Sequence, residues 1–247
     1  EGIYAYVYSG TGIISNNTVT NNGRIGVSVE SAGGSFFTIK GNLIRSNLAG
    51  GIMVNKPNAI ITNNIIIQNS FAPGGYYWQV AGGIYVTDGG YNVYQTITNN
   101  IIAYNTAPYG GALYLSSTWW SGSTLTVSDN SIIANTATTD SIVDIYSYTD
   151  SLDTFKNNLL TQNRDNSTVS NSLKVSGLPI INYNNFFNNF HSYEIHNINP
   201  AGPSHVDAKY NWWGTSNETE IQAKIYDWFD DSSKGIVDYA PYSTSIR

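Results

Sequence analysis

Three charged residues in the second half of the chain, Asp144, Lys174 and Glu194, have the side-chain types that acid–base chemistry on sugars requires. Two carboxylates separated by about 5–9.5 Å can serve as acid and base, or as acid and nucleophile, in glycoside hydrolysis. A lysine flanked by acids could instead abstract a proton beside a uronate carboxyl, which is lyase chemistry. The structural alternative is an exposed row of acid, lysine and acid, worth less than about 1 kcal/mol per pair.

A second group of residues is aromatic and suits the binding of sugar rings. Flat aromatic surfaces contact the apolar faces of a sugar, while nearby amides and hydroxyls bind its hydroxyl groups. The predicted binding residues are Tyr76, Tyr77, Trp78, Tyr85, Tyr114, Trp119 and Trp120. If the loops that carry most of them fold back on the protein, these residues are structural instead.

Metal and cofactor chemistry has weaker signals. Asp140, Asp150 and Asp153 could hold Ca²⁺ together with backbone carbonyls, or they could be solvated loop acids. The chain contains no Cys, and its three His show no spacing typical of a metal pair. The sequence therefore indicates no cofactor apart from this calcium hypothesis.

The composition excludes several classes of partner. Lys and Arg number 11 against 17 Asp and Glu, a net charge of −6, which argues against a nucleic-acid binder. No apolar run approaches the length of a membrane span. Only 11% of residues are charged, and a surface rich in amides and hydroxyls suits an extracellular or cell-surface protein. Sequons at Asn16, Asn166 and Asn217 are candidates for glycosylation.

An internal repeat must bring these distant side chains together. The pattern apolar-x-x-Asn-x-apolar-x-x-Asn recurs along nearly the whole chain, with spacings from 22 to 36 residues. The first asparagine of successive copies is Asn17, Asn42, Asn64, Asn100, Asn130, Asn158, Asn184 and Asn211. Most spacings are too short for a propeller blade of about 40 residues. The β-branched residues argue against paired helices, and the use of Ile, Val and Asn argues against leucine-rich repeats.

The remaining architecture is an all-β parallel β-helix of about eight to nine coils, each stacked about 4.8 Å above the next. Equivalent asparagines then lie one above another, and each amide can both donate and accept in an internal ladder. Asn also tolerates the left-handed backbone conformation that a sharp corner between strands requires.

One short strand per coil is predicted to present an outward side chain between two inward apolar residues. Aligning Tyr193 and Ile195 with Leu173 and Val175 completes this column. The predicted outward column is Ser28, Met53, Tyr85, Tyr114, Asp144, Lys174 and Glu194. The aromatic residues would therefore lie beside the charged ones on one face of the solenoid.

The two ends of the chain differ. Residues 1–216 are predicted to form the coils, and residues 217–247 a cap within the same domain. Asn217 begins a capping-box pattern, and Ile221, Ile225, Trp228 and Phe229 would share one face of a short helix. A last strand follows in residues 236–242. The first residues form a strand with no cap before it, so we expect additional N-terminal coils or domains.

These repeats resemble the right-handed parallel β-helix repeats of the pectin-lyase-like superfamily. The resemblance is carried by pairs such as Asn63-Asn64 and Asn99-Asn100, and by Asn211-Trp212-Trp213-Gly214 followed by a short helix. It covers essentially the whole chain and implies a right-handed solenoid. The superfamily includes lyases, glycosidases and non-catalytic surface modules, but the catalytic motifs of its polygalacturonase-like and pectate-lyase members are not evident.

Together these features predict an extracellular polysaccharide-binding β-helix whose partner is a polysaccharide or cell-surface glycan, as part of a larger carbohydrate-active or adhesive protein. The first alternative is a polysaccharide lyase or glycoside hydrolase that uses Asp144, Lys174 and Glu194. The second is a non-catalytic structural module of a cell surface.

Overall fold

The computed structural model describes residues 1–31, 34–71, 81–87, 92–117, 122–147 and 153–247. Over these ranges the chain is a parallel β-helix, in which each strand pairs in parallel with the equivalent strand of the next coil. The predicted all-β solenoid is confirmed.

Three long parallel sheets form the walls. Sheet I contains Ile3–Val7, Val27–Ser31, Ile52–Asn55, Ile84–Thr87, Leu113–Ser117, Val143–Ser147, Asn171–Ser176, Tyr193–Asn197 and Ile225–Tyr226. Sheet II contains Gly10–Ser15, Ser35–Lys40, Asn58–Thr62, Tyr94–Thr98, Thr124–Ser128, Thr154–Lys156, Ile180–Asn182, Val206–Asp207 and Val237–Asp238. Sheet III contains Thr18–Thr20, Leu43–Arg45, Ile65–Ile67, Ile101–Ala103, Ser131–Ile133, Leu159–Thr161 and Asn185–Phe187. A short sheet IV contains Thr106–Ala107, Thr136–Ala137 and Arg164–Asp165.

The core is a continuous stack of inward side chains along the solenoid axis. In sheet II, for example, Ile39, Ile61, Ile97 and Val127 are paired in register. Each of these four side chains is at most 1% exposed. Burying an aliphatic side chain of this size contributes about 1.5–3 kcal/mol relative to leaving it in water. Because β-branched residues also favour strands, the same residues determine both the local conformation and the core.

Two asparagine ladders run through the interior. In the first, each side-chain Nδ2 donates to the Oδ1 of the asparagine one coil further on, at 2.9 to 3.1 Å, from Asn17 to Asn211. The second ladder follows the second asparagine of each copy, from Asn22 to Asn189, at 2.7 to 3.1 Å. The predicted internal ladder is confirmed, and both asparagines of the repeat take part.

The corners correct one detail of the prediction. The left-handed conformation belongs to the residue before each ladder asparagine, not to the ladder asparagine itself. At the first corner these residues are Asn16, Gly41, Asn63, Asn99, Asp129, Asn157, Tyr183 and Tyr210, with φ between 55° and 65°. One residue therefore forms the turn, and the asparagine that follows it forms the ladder.

The C-terminal cap is less helical than predicted. The helix spans only Glu218–Gln222, with the Asn217 side chain accepting hydrogen bonds from the backbone N–H groups of Thr219 and Glu220. Ile225 lies in the last strand of sheet I instead of on the helix. Trp228 and Phe229 are 44% and 61% exposed, so they do not form the predicted buried face. The last strand is the two-residue Val237–Asp238.

Candidate functional site

The outer face of sheet I carries the predicted column, and its register is confirmed from Ser28 to Lys174. The parallel strands pair Ser28 with Met53, Met53 with Tyr85, Tyr85 with Tyr114, Tyr114 with Asp144, and Asp144 with Lys174. Residues between 25 and 32 positions apart in the sequence therefore become neighbours on adjacent coils. The column is not open throughout, because the side chains of Ser28, Met53 and Asp144 are buried.

The predicted position of Glu194 is wrong by two residues. Lys174 pairs with His196, and Leu173 pairs with Ile195. The inward residues of this strand are therefore Ile195 and Asn197. Asn197 is 1% exposed and donates its Nδ2 to the Gly235 carbonyl at 2.8 Å, so a polar residue occupies a position that the pattern reserved for an apolar one.

Glu194 lies in the interior corner at the end of the second asparagine ladder. Its Oε2 accepts from Ser172 Oγ at 2.6 Å and from Asn189 Nδ2 at 3.1 Å, and lies 3.2 Å from His191 Nε2. Lys224 Nζ is 3.9 Å from the other carboxylate oxygen. Asn189 is the last asparagine of that ladder. Glu194 therefore terminates the ladder and does not line the outer face.

The surroundings of Glu194 keep it ionised. Burial alone would raise the pKa of this carboxyl, but the hydrogen bonds from His191 and Ser172 and the charge of Lys224 outweigh burial and lower it. A buried carboxylate with this many partners has a structural role as a ladder end. A catalytic role for Glu194 stays a prediction, and it would require a substrate to reach this corner.

A row of three tyrosines forms the aromatic part of the face. The rings of Tyr85 and Tyr114 are stacked with centroids 5.3 Å apart and planes inclined by 17°. Tyr146 continues the row, with its ring centroid 5.4 Å from that of Tyr114. Burial raises the pKa of all three hydroxyls, so they stay neutral donors. Tyr146 was not predicted, although its position two residues after Asp144 places it on the same face.

A surface pocket of about 260 Å³ lies beside Tyr85. It is lined by Met53, Asn55, Tyr85 and Thr87. Met53 and Tyr85 supply apolar surface, whereas Asn55 and Thr87 supply an amide and a hydroxyl. The pocket is smaller than those that enclose drug-sized molecules, roughly 300 Å³ and more. It therefore has room for one small unit or substituent of a longer chain.

Asp144 is a buried acid at the centre of the face. Its side chain is 0% exposed, and Oδ2 accepts a hydrogen bond from the Gly110 backbone N–H at 2.9 Å. Burial and the nearby charge of Asp140 raise its pKa to about 7, although Ser141, Lys174 and Gly110 act in the opposite direction. Among the described residues no donor reaches Oδ1 with good hydrogen-bond geometry. Asp144 can therefore hold a proton close to neutral pH.

Lys174 and His196 complete the face towards the cap. Lys174 Nζ bonds to Asp140 Oδ2, and both side chains are mostly buried, with 19% and 17% exposed. Burial opposes the charge of Lys174, but Asp140, Tyr146 and Asp144 outweigh it, so its pKa is raised. The pKa of His196 is lowered by burial, with Lys174 and Lys234 contributing, so the imidazole is neutral at neutral pH. Its ring lies edge-on to Tyr226, with centroids 4.9 Å apart.

Five of the predicted binding residues, Tyr76, Tyr77, Trp78, Trp119 and Trp120, lie outside the described residues, as does Asp150. Asp153 is not a solvated loop acid, because it is 2% exposed, accepts from the Leu125 N–H at 2.7 Å and bonds to Ser117 Oγ. Asp140 is bonded to Lys174. Within the part of the chain that is described, no group of three or more His, Cys, Asp or Glu side chains is arranged to hold a metal ion.

The cap contains a second cavity that the sequence did not suggest. It measures about 580 Å³ and is lined by Lys209, Gln222, Phe229, Ile236, Val237, Asp238, Tyr239 and Ala240. The exposed aromatic pair Trp228 and Phe229, with ring centroids 5.3 Å apart, lies at this end of the molecule. The adjacent aromatic residues Trp228 and Phe229 could have indicated an exposed surface here. Their spacing from Ile221 and Ile225 instead predicted the buried face of a helix.

The comparisons with known proteins identify a family. A family model described as "Right handed beta helix region" matches residues 1–204. No curated protein matches, and no solved structure matches. In the described ranges, no helix is both long enough and apolar enough to cross a membrane. Since the match covers most of the chain, and the strands pair coil to coil as that description requires, this chain belongs to the right-handed β-helix family.

Proposed function

We propose that this chain is an extracellular or cell-surface polysaccharide-binding protein, acting as part of a larger carbohydrate-active or adhesive protein. Its ligand would lie along the outer face of sheet I, across Tyr85, Tyr114 and Tyr146. The observation that carries the proposal is the pocket beside Tyr85, where apolar surface adjoins an amide and a hydroxyl. This combination suits a sugar, whose ring has apolar faces and a polar rim.

The arrangement along the solenoid supports a linear ligand. Successive coils place the pocket, the tyrosine row and the Asp144–Lys174 region one after another along the axis. Parallel coils are about 4.8 Å apart, so the face from Met53 to His196 is about 24 Å long. A polysaccharide chain of several units can follow such a face, whereas a single small molecule would occupy only one part of it.

The test uses affinity electrophoresis in gels that contain soluble polysaccharides, both neutral (β-glucan, galactomannan, xylan) and acidic (polygalacturonate, alginate). We expect retardation by at least one of them. Tyr85→Ala should weaken it about tenfold, which corresponds to about 1.4 kcal/mol for one aromatic contact. The matched control is Tyr94→Ala, because Tyr94 is 54% exposed on sheet II, away from the face. Binding that is absent, or unchanged in Tyr85→Ala, would contradict the proposal and favour a structural surface module.

The catalytic alternative, a polysaccharide lyase or glycoside hydrolase, is favoured by one observation. Asp144 has its pKa raised to about 7, which suits a proton donor or acceptor near neutral pH. The measurement is the release of reducing ends or of unsaturated products from the polysaccharides that the protein binds. Product formation that is lost in Asp144→Asn would support this alternative. Binding without any product would leave the non-catalytic function.

A further inference from the structure

The one lysine in the outward column is already neutralised by the protein. Lys174 Nζ is bonded to Asp140 Oδ2, and only 19% and 17% of these two side chains are exposed. A carboxylate on a ligand would have to displace Asp140 to form an equivalent pair. Because this would leave the mostly buried Asp140 carboxylate without its partner, the exchange is unfavourable for an incoming uronate.

Lys174 is the one basic side chain of the described outward column that carries a charge at neutral pH, and the exposed Lys56 lies outside that column, at the corner after Asn55. Burial lowers the pKa of His196 and keeps it in its neutral form, with the charges of Lys174 and Lys234 acting in the same direction. The tyrosines are neutral, since burial raises their pKa values. Asp144 is either neutral or negative, never positive. The charge that an acidic polymer would encounter along the column is therefore zero or negative.

The charge of the whole chain acts in the same direction. It carries 17 acidic against 11 basic residues, a net charge of −6. At low ionic strength a polyanion approaching such a molecule is repelled before it reaches the surface. Local and long-range electrostatics thus disfavour the same class of ligand.

We infer that the outer face of sheet I selects uncharged hexose polymers over uronic-acid polymers, and that Asp140 determines this specificity by occupying Lys174. The inference rests on the proposed glycan binding and adds the class of glycan. Asp140 is a positioning residue: its carboxylate accepts the hydrogen bond from Lys174, and it affects the ligand through that lysine.

The experiment compares matched hexasaccharides that differ only at C6. One pair is the β-1,4-linked glucose hexamer and the corresponding glucuronate hexamer, and the other is the α-1,4-linked galactose and galacturonate hexamers. Calorimetry at low ionic strength measures each affinity. For the pair that binds, the wild-type protein should prefer the neutral member at least tenfold. Equal binding, or preference for the uronate, would overturn the inference and leave glycan binding intact.

A gain of function tests the role of Asp140. Asp140→Asn removes the carboxylate that is bonded to Lys174 and should strengthen uronate binding about tenfold, with little change for the neutral hexamer. Asp129→Asn is the matched control, because it changes the net charge equally at an exposed corner far from this face in the coil. An equal gain in both variants would contradict a specific role for Asp140.

A double variant guards against misfolding. Asp140→Asn/Lys174→Met removes both charges, leaves no unpaired lysine and should lose the gain in uronate binding. Retention of the gain without Lys174 would overturn the assignment. If no variant binds any hexamer and Tyr85→Ala changes nothing, the proposed glycan binding itself has failed, which is distinguishable from failure of the selectivity.

Discussion

Replacing Asp144 by asparagine should remove a pH-dependent loss of stability that this buried carboxyl imposes on the fold. Burial and the charge of Asp140 raise its pKa from 3.8 to about 7. Between about pH 4 and pH 7 the folded state therefore holds a proton that the unfolded chain has released. The free energy of unfolding contributed by this group falls as the pH rises through that window.

The magnitude follows from the two pKa values. A tenfold change in proton affinity is worth about 1.4 kcal/mol, so a pKa of about 7 in place of 3.8 corresponds to about 4 kcal/mol. This is a large part of the 5–15 kcal/mol that typically stabilises a domain. Asparagine has nearly the same shape, and its Oδ1 can accept the hydrogen bond that the Gly110 N–H now donates to the carboxylate. The variant therefore loses the penalty and keeps the contact.

The assay is urea unfolding of the wild type and of Asp144→Asn, followed by circular dichroism at several pH values from about 4 to about 8. Subtracting one stability from the other cancels the titrating groups that do not interact with Asp144, and the difference should grow with pH by about 4 kcal/mol in favour of the variant. Because stacked coils can unfold in steps, unchanged m-values are required for the comparison. Asp129→Asn, which removes an exposed acid, is the matched control. If the stability of Asp144→Asn changed with pH in the same way as that of the wild type, the raised pKa of Asp144 would be refuted.

Two further predictions concern the asparagine ladders. Asn100→Ala leaves a buried backbone N–H and a buried carbonyl without their partners, so we expect a loss of about 3–6 kcal/mol in urea unfolding, against about 0.5 kcal/mol or less for the exposed Asn166→Ala. Glu194→Ala leaves His191 and Lys224 without their buried partner and should cost about 3–5 kcal/mol, while glycan affinity of the folded variant stays unchanged. A tenfold loss of affinity in folded Glu194→Ala would show instead that Glu194 contacts the ligand.

The spacing of asparagines was enough to predict the solenoid. A ladder requires one amide per coil at one position, and only stacked coils bring Asn17 and Asn42, or Asn100 and Asn130, into hydrogen-bonding distance. Apolar residues at constant offsets from those amides then predict the core. These features are local and repeated, so the insertion of a loop between two copies does not alter them.

The register beyond a variable connection was not predictable in the same way. Both Tyr193 with Ile195 and Ile195 with Asn197 have the two-residue spacing of inward side chains in a strand. The first pair is the more apolar, so the sequence favoured it. The second pair lies inward because the cap provides the Gly235 carbonyl for the Asn197 amide. A partner some 40 residues away thus decided a position that the local pattern assigned to Tyr193.

The left-handed corners were likewise predictable from the sequence only in part. The pattern indicated that each corner needs a residue with positive φ, but Tyr183 and Tyr210 adopt it at φ 64° and 61° without being Asn or Gly. Their rings stack with centroids 5.1 Å apart, and Arg247 lies over Tyr183. Contacts between coils hold these tyrosines in a conformation that their own sequence disfavours.

The amino-acid sequence by itself determined the coil, the ladders and the outward column as far as Lys174, because each depends on residues at constant offsets within one repeat. Only the tertiary structure decided which charges meet. It joined Asp140 to Lys174, buried Asp144 beside them and turned Glu194 into the interior. The physical reason is that a charge is stabilised by partners in space, and these partners come from different coils whose connections have different lengths.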